Sequence, residues 1–211
     1  MDVFCDINEG DVVFDCGAYV GDITEFFRKK GATVYAFEPE AVLVKILEER
    51  FKDNNNVIVI NKGAYDSDAK LKFYLNRNYK KEGTKFLEGT STFEGKINVG
   101  KDYVEAEVID LANFIKNLGK KVKLLKLNVE GCEYRILDKL IDSKVIYDIE
   151  RVVVAFHSKK IPSLLRDHKA LKRKVIKHKL YNTIIYWEWW ANNRSVITSI
   201  KKLSKRKVDL V

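Results

Sequence analysis

The 211-residue sequence lacks a long apolar run, and roughly 18–20 consecutive apolar residues are needed for a membrane-spanning helix. Its first ten residues, MDVFCDINEG, are acidic and show neither the basic start nor the apolar stretch of a signal peptide. The three cysteines include no CxxC pair, which argues against a disulfide framework or a zinc motif. These absences predict a cytoplasmic protein without a transmembrane segment, and no metal site is predicted.

What is present favours a folded globular protein. Hydrophobic residues make up 46% of the chain and aromatic residues 11%, and the length suits a single domain over residues 1–211. The net charge is +9, and basic runs occur at 169–179 and in the tail, 201–211. Such runs suit phosphate, anionic lipid or nucleic acid, but also a solvated helix face. Nucleic acid is not favoured, because no aromatic-rich RNA-binding signature accompanies them.

Strand-like and helix-like segments alternate along the chain. Apolar, strand-like runs cover 11–15, 33–39, 56–61, 70–76, 105–109, 123–129 and 151–157. Helical patterns cover 20–30, 40–52, 110–119, 132–143 and about 162–180. Residues 77–103 show little periodicity and are expected to be an irregular insertion. The alternation predicts an α/β fold with a mostly parallel seven-stranded sheet, helices on both faces and a C-terminal antiparallel hairpin over 181–189 and 195–200.

The stretch VVFDCGAYVGD (12–22) places a carboxylate at the end of an apolar strand, just before a glycine turn. Ligands of parallel α/β sheets bind beyond the carboxyl ends of the strands. Dinucleotide folds prefer GxGxxG there, and Asp15 would repel a pyrophosphate, so an NAD-dependent oxidoreductase is disfavoured. A cofactor with positive charge fits better. The alternative is that Asp15 caps its own turn.

Two further strand ends carry candidate ligand residues. Glu38 lies 21 residues beyond Gly17, a spacing that suits a carboxylate accepting hydrogen bonds from ribose hydroxyls. Its alternative role is as an acid at a helix N-terminus. Gly63 and Ala64 follow the third strand, where the backbone usually faces the base of a nucleoside.

Seven segments in fixed order resemble the FkbM family of class I S-adenosylmethionine-dependent methyltransferases. They are DVVFDCGAYVGD, VYAFEPE, INKGAYD, GTSTF (89–93), EVIDL (107–111), LLKLNVEGCEYRIL (124–137) and VAFH (154–157), and they span residues 11–157. The resemblance implies a Rossmann-like fold. It also implies methyl transfer from S-adenosylmethionine, usually to a hydroxyl of a sugar or small molecule, with S-adenosylhomocysteine as product.

Site residues follow from the matching positions. The expected cofactor-binding residues are Asp15, Cys16, Gly17, Ala18, Tyr19, Gly21, Asp22, Glu38, Pro39, Gly63, Ala64 and Asn128. The expected substrate-binding residues are Ser91, Glu130, Glu133 and His157, and the expected catalytic residues are His157, Glu130 and Asn128. The chain departs from the family at two positions. Asn128 stands where Asp is usual, and Tyr19 where a small polar residue, often Asn, is usual.

Transfer to an alcohol benefits from a base, and His157 is the favoured candidate because an unperturbed histidine titrates near pH 6.5. Glu130 is the second candidate and would need burial to raise its pKa. Alternatively, His157 is satisfied by a backbone carbonyl, the two glutamates hold the acceptor or the loop, or all three bind a divalent metal. Trp187, Trp189 and Trp190 suit either sugar stacking or packing. The competing functions are RNA or protein methylation and a catalytically inactive cofactor-binding module.

Overall fold

A computed structural model describes residues 6–77, 89–181 and 183–186, which form nine strands and five helices. In chain order these are β1 (Val12–Cys16), α1 (Asp22–Arg28), β2 (Thr33–Phe37), α2 (Ala41–Phe51), β3 (Val57–Ile60), β4 (Gly63–Tyr65), β5 (Ala69–Asn76), β6 (Val99–Asp110), α3 (Leu111–Leu118), β7 (Val122–Leu127), α4 (Glu133–Asp142), β8 (Ile149–Val154), α5 (Leu165–Lys177) and β9 (Ile184–Tyr186). Short 3₁₀ turns occupy Val145–Asp148 and Pro162–Leu164.

Six parallel strands form the central sheet, in the order β3-β2-β1-β7-β8-β9. All five residues of β1 are buried, because the sheet is covered on both faces. Phe14 belongs to a core cluster that includes α3 and α4, whereas Val13 belongs to a second cluster with Phe27 of α1. The predicted α/β architecture, Rossmann-like with helices on both faces, is therefore confirmed.

A second, three-stranded sheet has the order β4-β6-β5. The strands predicted at 70–76 and 105–109 belong to this second sheet and not to the central one. In the described part of the chain the central sheet therefore has six strands, not the predicted seven. The insertion expected over 77–103 is too long at its C-terminal end, because 99–103 belong to β6. Residues 99–103 read VGKDY, with a glycine and two adjacent charged residues, and 101–103 are exposed, so no alternating apolar pattern is present to indicate a strand. The short strand β4 was not predicted.

The C-terminal prediction is only partly covered by the described residues. Strand β9 lies at the sheet edge and pairs with β8 in parallel. The remainder of the predicted hairpin, the three tryptophans and the tail at 201–211 lie outside the described residues. Within the described ranges, no helix has both the length and the apolar character needed to cross a membrane.

Candidate active site

A cavity of about 370 Å³ opens at the carboxyl ends of the central strands. The strand order reverses between β1 and β7, which is where a ligand site is expected in such sheets. Most of the predicted site residues line this cavity: Gly17, Ala18, Tyr19, Asp22, Glu38, Pro39, Gly63, Ala64, Asn128, Glu130 and His157. Five do not line it: Asp15, Cys16, Gly21, Ser91 and Glu133.

The loop after β1 leaves room for close backbone approach. Gly17 has φ +78°, and a Cβ built there would lie 2.2 Å from the carbonyl oxygen of Asn128 on the neighbouring loop. Only glycine lets the two loops meet in this way. Gly21 has a different role, because a Cβ there would lie 2.7 Å from side-chain atoms of Leu47 and Phe51. Gly21 therefore permits packing of α1 against α2 and does not contact the cavity.

Asp15 is fully buried and points away from the cavity into an ion pair. Its Oδ1 lies 2.8 Å from Lys126 Nζ, and its Oδ2 accepts a hydrogen bond of 2.7 Å from Thr24 Oγ1. The expectation that Asp15 binds the positive charge of a cofactor does not fit this position, because a lysine of the protein already supplies the cation. Cys16, also fully buried, likewise lies in the core beneath the loop.

Lys126 is one of the cavity-lining residues that sequence reasoning missed. It is 2% exposed, lies on β7 directly beside Asp15 in the sheet register, and lines the cavity. Its ammonium also donates to the carbonyl oxygens of Gly17, at 2.8 Å, and Cys16, at 3.3 Å. The available signal was a lysine inside the apolar run KLLKLNV, since a lysine is almost never buried without a partner.

Glu38 lines the cavity beside the glycine loop. It is 6% exposed, and its two carboxylate oxygens accept backbone N–H groups from Tyr19 (2.9 Å) and Glu40 (3.1 Å). Burial raises the pKa of Glu38 to about 7, although these two hydrogen bonds favour the charged form. Each oxygen keeps a lone pair for a further donor. The glycine loop and this buried acceptor therefore fit a nucleoside-containing cofactor.

His157 lies between two carboxylates at the other side of the cavity. Its Nε2 is 3.1 Å from Glu130 Oε2 and its Nδ1 is 3.2 Å from Glu133 Oε1. Burial alone would lower the pKa of His157, but the two carboxylates raise it to about 9. The imidazole is thus protonated near pH 7, and this geometry is unfavourable to the predicted role as a base. Each of the two carboxylates contacts a different ring nitrogen of His157.

Glu130 is held by two cations. Its Oε2 lies 2.5 Å from Lys96 Nζ as well as next to His157. Burial alone would raise the pKa of Glu130, but His157 and Lys96 hold it well below its usual range. The backbone of Glu130 has φ +54° and that of Gly131 φ +117°, so the loop after β7 is strained where it presents the carboxylate.

Glu133 and Ser91 hold this loop and do not face the cavity. Glu133 is fully buried and accepts the backbone N–H groups of His157 and Gly131, each at 2.8 Å. Ser91 is 1% exposed and donates to the carbonyl oxygen of Glu130 at 2.6 Å. The expectation that both bind substrate does not fit these positions, since their polar atoms are used within the protein. The neighbouring Thr90 and Lys96 line the cavity instead.

Comparisons with known proteins give a family for this chain and several partial relatives. A family model described as "Methyltransferase FkbM domain" matches residues 15–175. The ribosomal RNA small subunit methyltransferase A of Persephonella marina is 36% identical over 81 residues, 35% of this chain and 31% of that protein. The enzyme of the same name from Streptococcus thermophilus is 36% identical over 67 residues, 32% of this chain and 23% of that protein. The chain thus spans less than a third of the length of these curated relatives.

Two solved structures are similar at low identity. An rRNA methylase from Streptococcus thermophilus superposes with a TM-score of 0.43 and 12% identity, covering 81% of this chain and 71% of that chain. Yeast methylglyoxal/isovaleraldehyde reductase Gre2 superposes with a TM-score of 0.43 and 13% identity, covering 83% of this chain and 52% of that chain. The match of the family model over residues 15–175 places the chain in the FkbM family of methyltransferases, whose methyl donor is the predicted cofactor, S-adenosylmethionine.

Proposed function

We propose that the protein transfers a methyl group from S-adenosylmethionine to a hydroxyl oxygen of a sugar or small-molecule acceptor, leaving S-adenosylhomocysteine. The observation that supports this proposal is that one cavity has two chemically different sides. Loops after β1 and β2 supply the glycine turn and Glu38, which suit the cofactor. Loops after β7 and β8 supply Asn128, Glu130 and His157, which suit a hydroxyl-bearing acceptor.

The cofactor side is assigned residue by residue. The backbone of Gly17 and Ala18 would hold the cofactor, Glu38 would accept hydrogen bonds from the ribose hydroxyls, and Pro39, Gly63 and Ala64 would bind the nucleoside base. When bound, the cofactor supplies a methyl carbon already activated by the adjacent sulfonium. Lys126 fixes the carbonyl groups of Cys16 and Gly17 and thereby the shape of this loop.

The acceptor side works chiefly by positioning. The side chain of Asn128 can orient a hydroxyl but cannot take its proton near neutral pH. Glu130 stays ionised, and its Oε1, which has no hydrogen bond or ion pair among the described residues, can accept a hydrogen bond from the acceptor hydroxyl. When the new C–O bond forms and the bond from the methyl carbon to sulfur breaks, the hydroxyl proton leaves to solvent water, because the protonated His157 cannot take it. The cationic His157 and Lys96 hold Glu130 in place through Oε2. Holding the acceptor oxygen in line with the methyl carbon is worth several orders of magnitude in rate.

Calorimetric titration with S-adenosylmethionine, S-adenosylhomocysteine and NAD tests the cofactor assignment. We expect binding of the two sulfur ligands and none of NAD. Glu38→Gln should weaken binding of both by roughly 10- to 100-fold, because a hydrogen bond to a charged group contributes about 1.5–3 kcal/mol. Glu40→Gln is the matched control, since Glu40 caps α2 and does not line the cavity. Absence of binding by either sulfur ligand would overturn the proposal.

Methyl transfer from radiolabelled S-adenosylmethionine to a panel of sugars and small alcohols then tests the reaction.

A second candidate, RNA methylation, is favoured by the similarity to ribosomal RNA methyltransferases and by the net charge of +9. Against transfer to a base amine, the chain has NVEG after β7 and no NPPY or DPPY motif. An RNA transcript in the same panel separates the two, and cofactor binding without transfer to any acceptor would indicate an inactive module.

A further inference from the structure

Helix α5 carries a row of basic side chains on its outer face. Arg166, Lys169, Arg173 and Lys177 are all exposed and follow one another at intervals of three, four and four residues. At 3.6 residues per turn this spacing places them on one side of the helix, opposite the buried Leu171 and Val175. The row is about 16 Å long at 1.5 Å per residue.

The charge of this row is not balanced by nearby acids in the described part of the chain. Asp167 is the single acidic residue of α5, and none of the four basic side chains has an ion pair among the described residues. Lys174, on the flank of the same helix, is by contrast paired with Asp138 and Asp142 of α4, at 2.5 and 2.7 Å. Residues 187–211 contain six Lys and Arg and two acidic residues, so their composition adds positive charge.

The row begins six residues after a residue that lines the cavity. Lys160, in the loop after β8, lines the cavity, and α5 starts five residues later. Ile161 packs against the loop after β7, residues 128–132, which we call the acceptor loop. A Cβ on Gly131 of this loop would lie 2.8 Å from the Cδ1 of Ile161. A polyanion bound at the N-terminal end of α5 would therefore lie near the loops of the acceptor side.

We propose that the outer face of α5, defined by Arg166, Lys169, Arg173 and Lys177, binds the phosphate backbone of RNA next to the cavity. A membrane surface fits less well, because the apolar face of α5 is buried in the core and, within the described ranges, Leu165 and Ile176 are the large apolar side chains of α5 that are exposed. The choice of RNA over DNA rests on the proposed transfer to a hydroxyl oxygen, taken together with the second candidate acceptor named above, because only RNA carries a 2′-hydroxyl.

Fluorescence anisotropy with a labelled 20-nucleotide single-stranded RNA, at several salt concentrations, tests the surface without requiring methyl transfer. The variant R166Q/K169Q/R173Q/K177Q removes four phosphate contacts. The slope of log K against log salt should become shallower by about 3, and affinity at 0.1 M salt should fall by about 10²- to 10³-fold. The control K29Q/K45Q/K52Q/K101Q changes net charge equally at exposed sites elsewhere and should keep the slope. Circular dichroism checks that both variants are folded.

Several results would overturn this inference. They are failure to bind RNA at low salt, an equal loss in both variants, equal affinity for DNA of the same sequence, and α5-dependent binding to phosphatidylserine vesicles in the absence of RNA binding. Calorimetry with S-adenosylmethionine on the α5 variant should give the affinity of the unaltered protein. A failed proposed function would appear in that titration or in the acceptor panel, whereas a failed RNA surface would appear in the anisotropy alone.

Discussion

The buried pair between Asp15 and Lys126 allows a quantitative prediction. Both side chains are at most 2% exposed, their charged atoms are 2.8 Å apart, and they belong to adjacent central strands. Removing one partner of such a pair leaves a buried charge without compensation, which costs about 3–5 kcal/mol. We therefore expect Asp15→Asn and Lys126→Met each to lower the free energy of unfolding by that amount.

The double variant should cost far less than the sum of the two single variants, because no uncompensated charge remains. The assay is urea unfolding followed by far-ultraviolet circular dichroism, analysed as a double-mutant cycle. Lys123→Met is the matched control. Lys123 lies on the same strand and pairs with Glu150 and Asp6, whose side chains are 54% and 41% exposed. Such partly solvated pairs contribute about 0–1 kcal/mol.

Two results would refute this reasoning. One is a cost below about 1 kcal/mol for both single variants, which would mean that the pair behaves like a surface ion pair. The other is strict additivity in the double variant, which would mean that the two charges do not stabilise each other. Either result would also remove the explanation given for a carboxylate at the end of a core strand.

Two further predictions concern the acceptor loop. The pKa of His157 is raised to about 9 in the folded protein from about 6.5 when unfolded, so its stabilising contribution is complete below pH 6.5 and is lost as pH rises towards 9. The free energy of unfolding should fall across this window by about 3 kcal/mol. If His157→Gln shows the same fall in a pH series, the assignment to His157 is wrong. Gly131→Ala should destabilise the protein by about 1–3 kcal/mol, because φ is +117° and Phe93 lies 2.7 Å from the added Cβ. Thermal unfolding measures this loss, and Gly95→Ala is the control variant, because no atom lies within 4 Å of the Cβ added there.

The sequence was sufficient to predict the elements of the central sheet and the loops that form the cavity. Apolar runs ending in Gly, Pro or acidic residues indicate where strands stop, and the carboxyl ends of parallel strands meet at one edge. Glu38 was therefore placed correctly beside the glycine loop.

Side-chain direction could not be read from the same patterns. A strand end has neighbours on two sides, and only the register of β1 with β7 shows that Asp15 faces Lys126. Ser91 and Glu133 were misassigned for a related reason. Their family motifs indicate that they lie near the site, but whether a polar atom faces the cavity or the loop beneath depends on packing around Phe93 and Gly131.

The strand order has a consequence for how the chain folds. Strand β1 pairs on one side with β2, which follows it closely, and on the other with β7, more than 100 residues later. Contacts of such long sequence separation form slowly, because loop closure must precede them. The glycine loop receives its lysine anchor only after β7 has docked. During synthesis, the first half of the chain therefore emerges without a finished cofactor site, and cofactor binding reports that the sheet is complete.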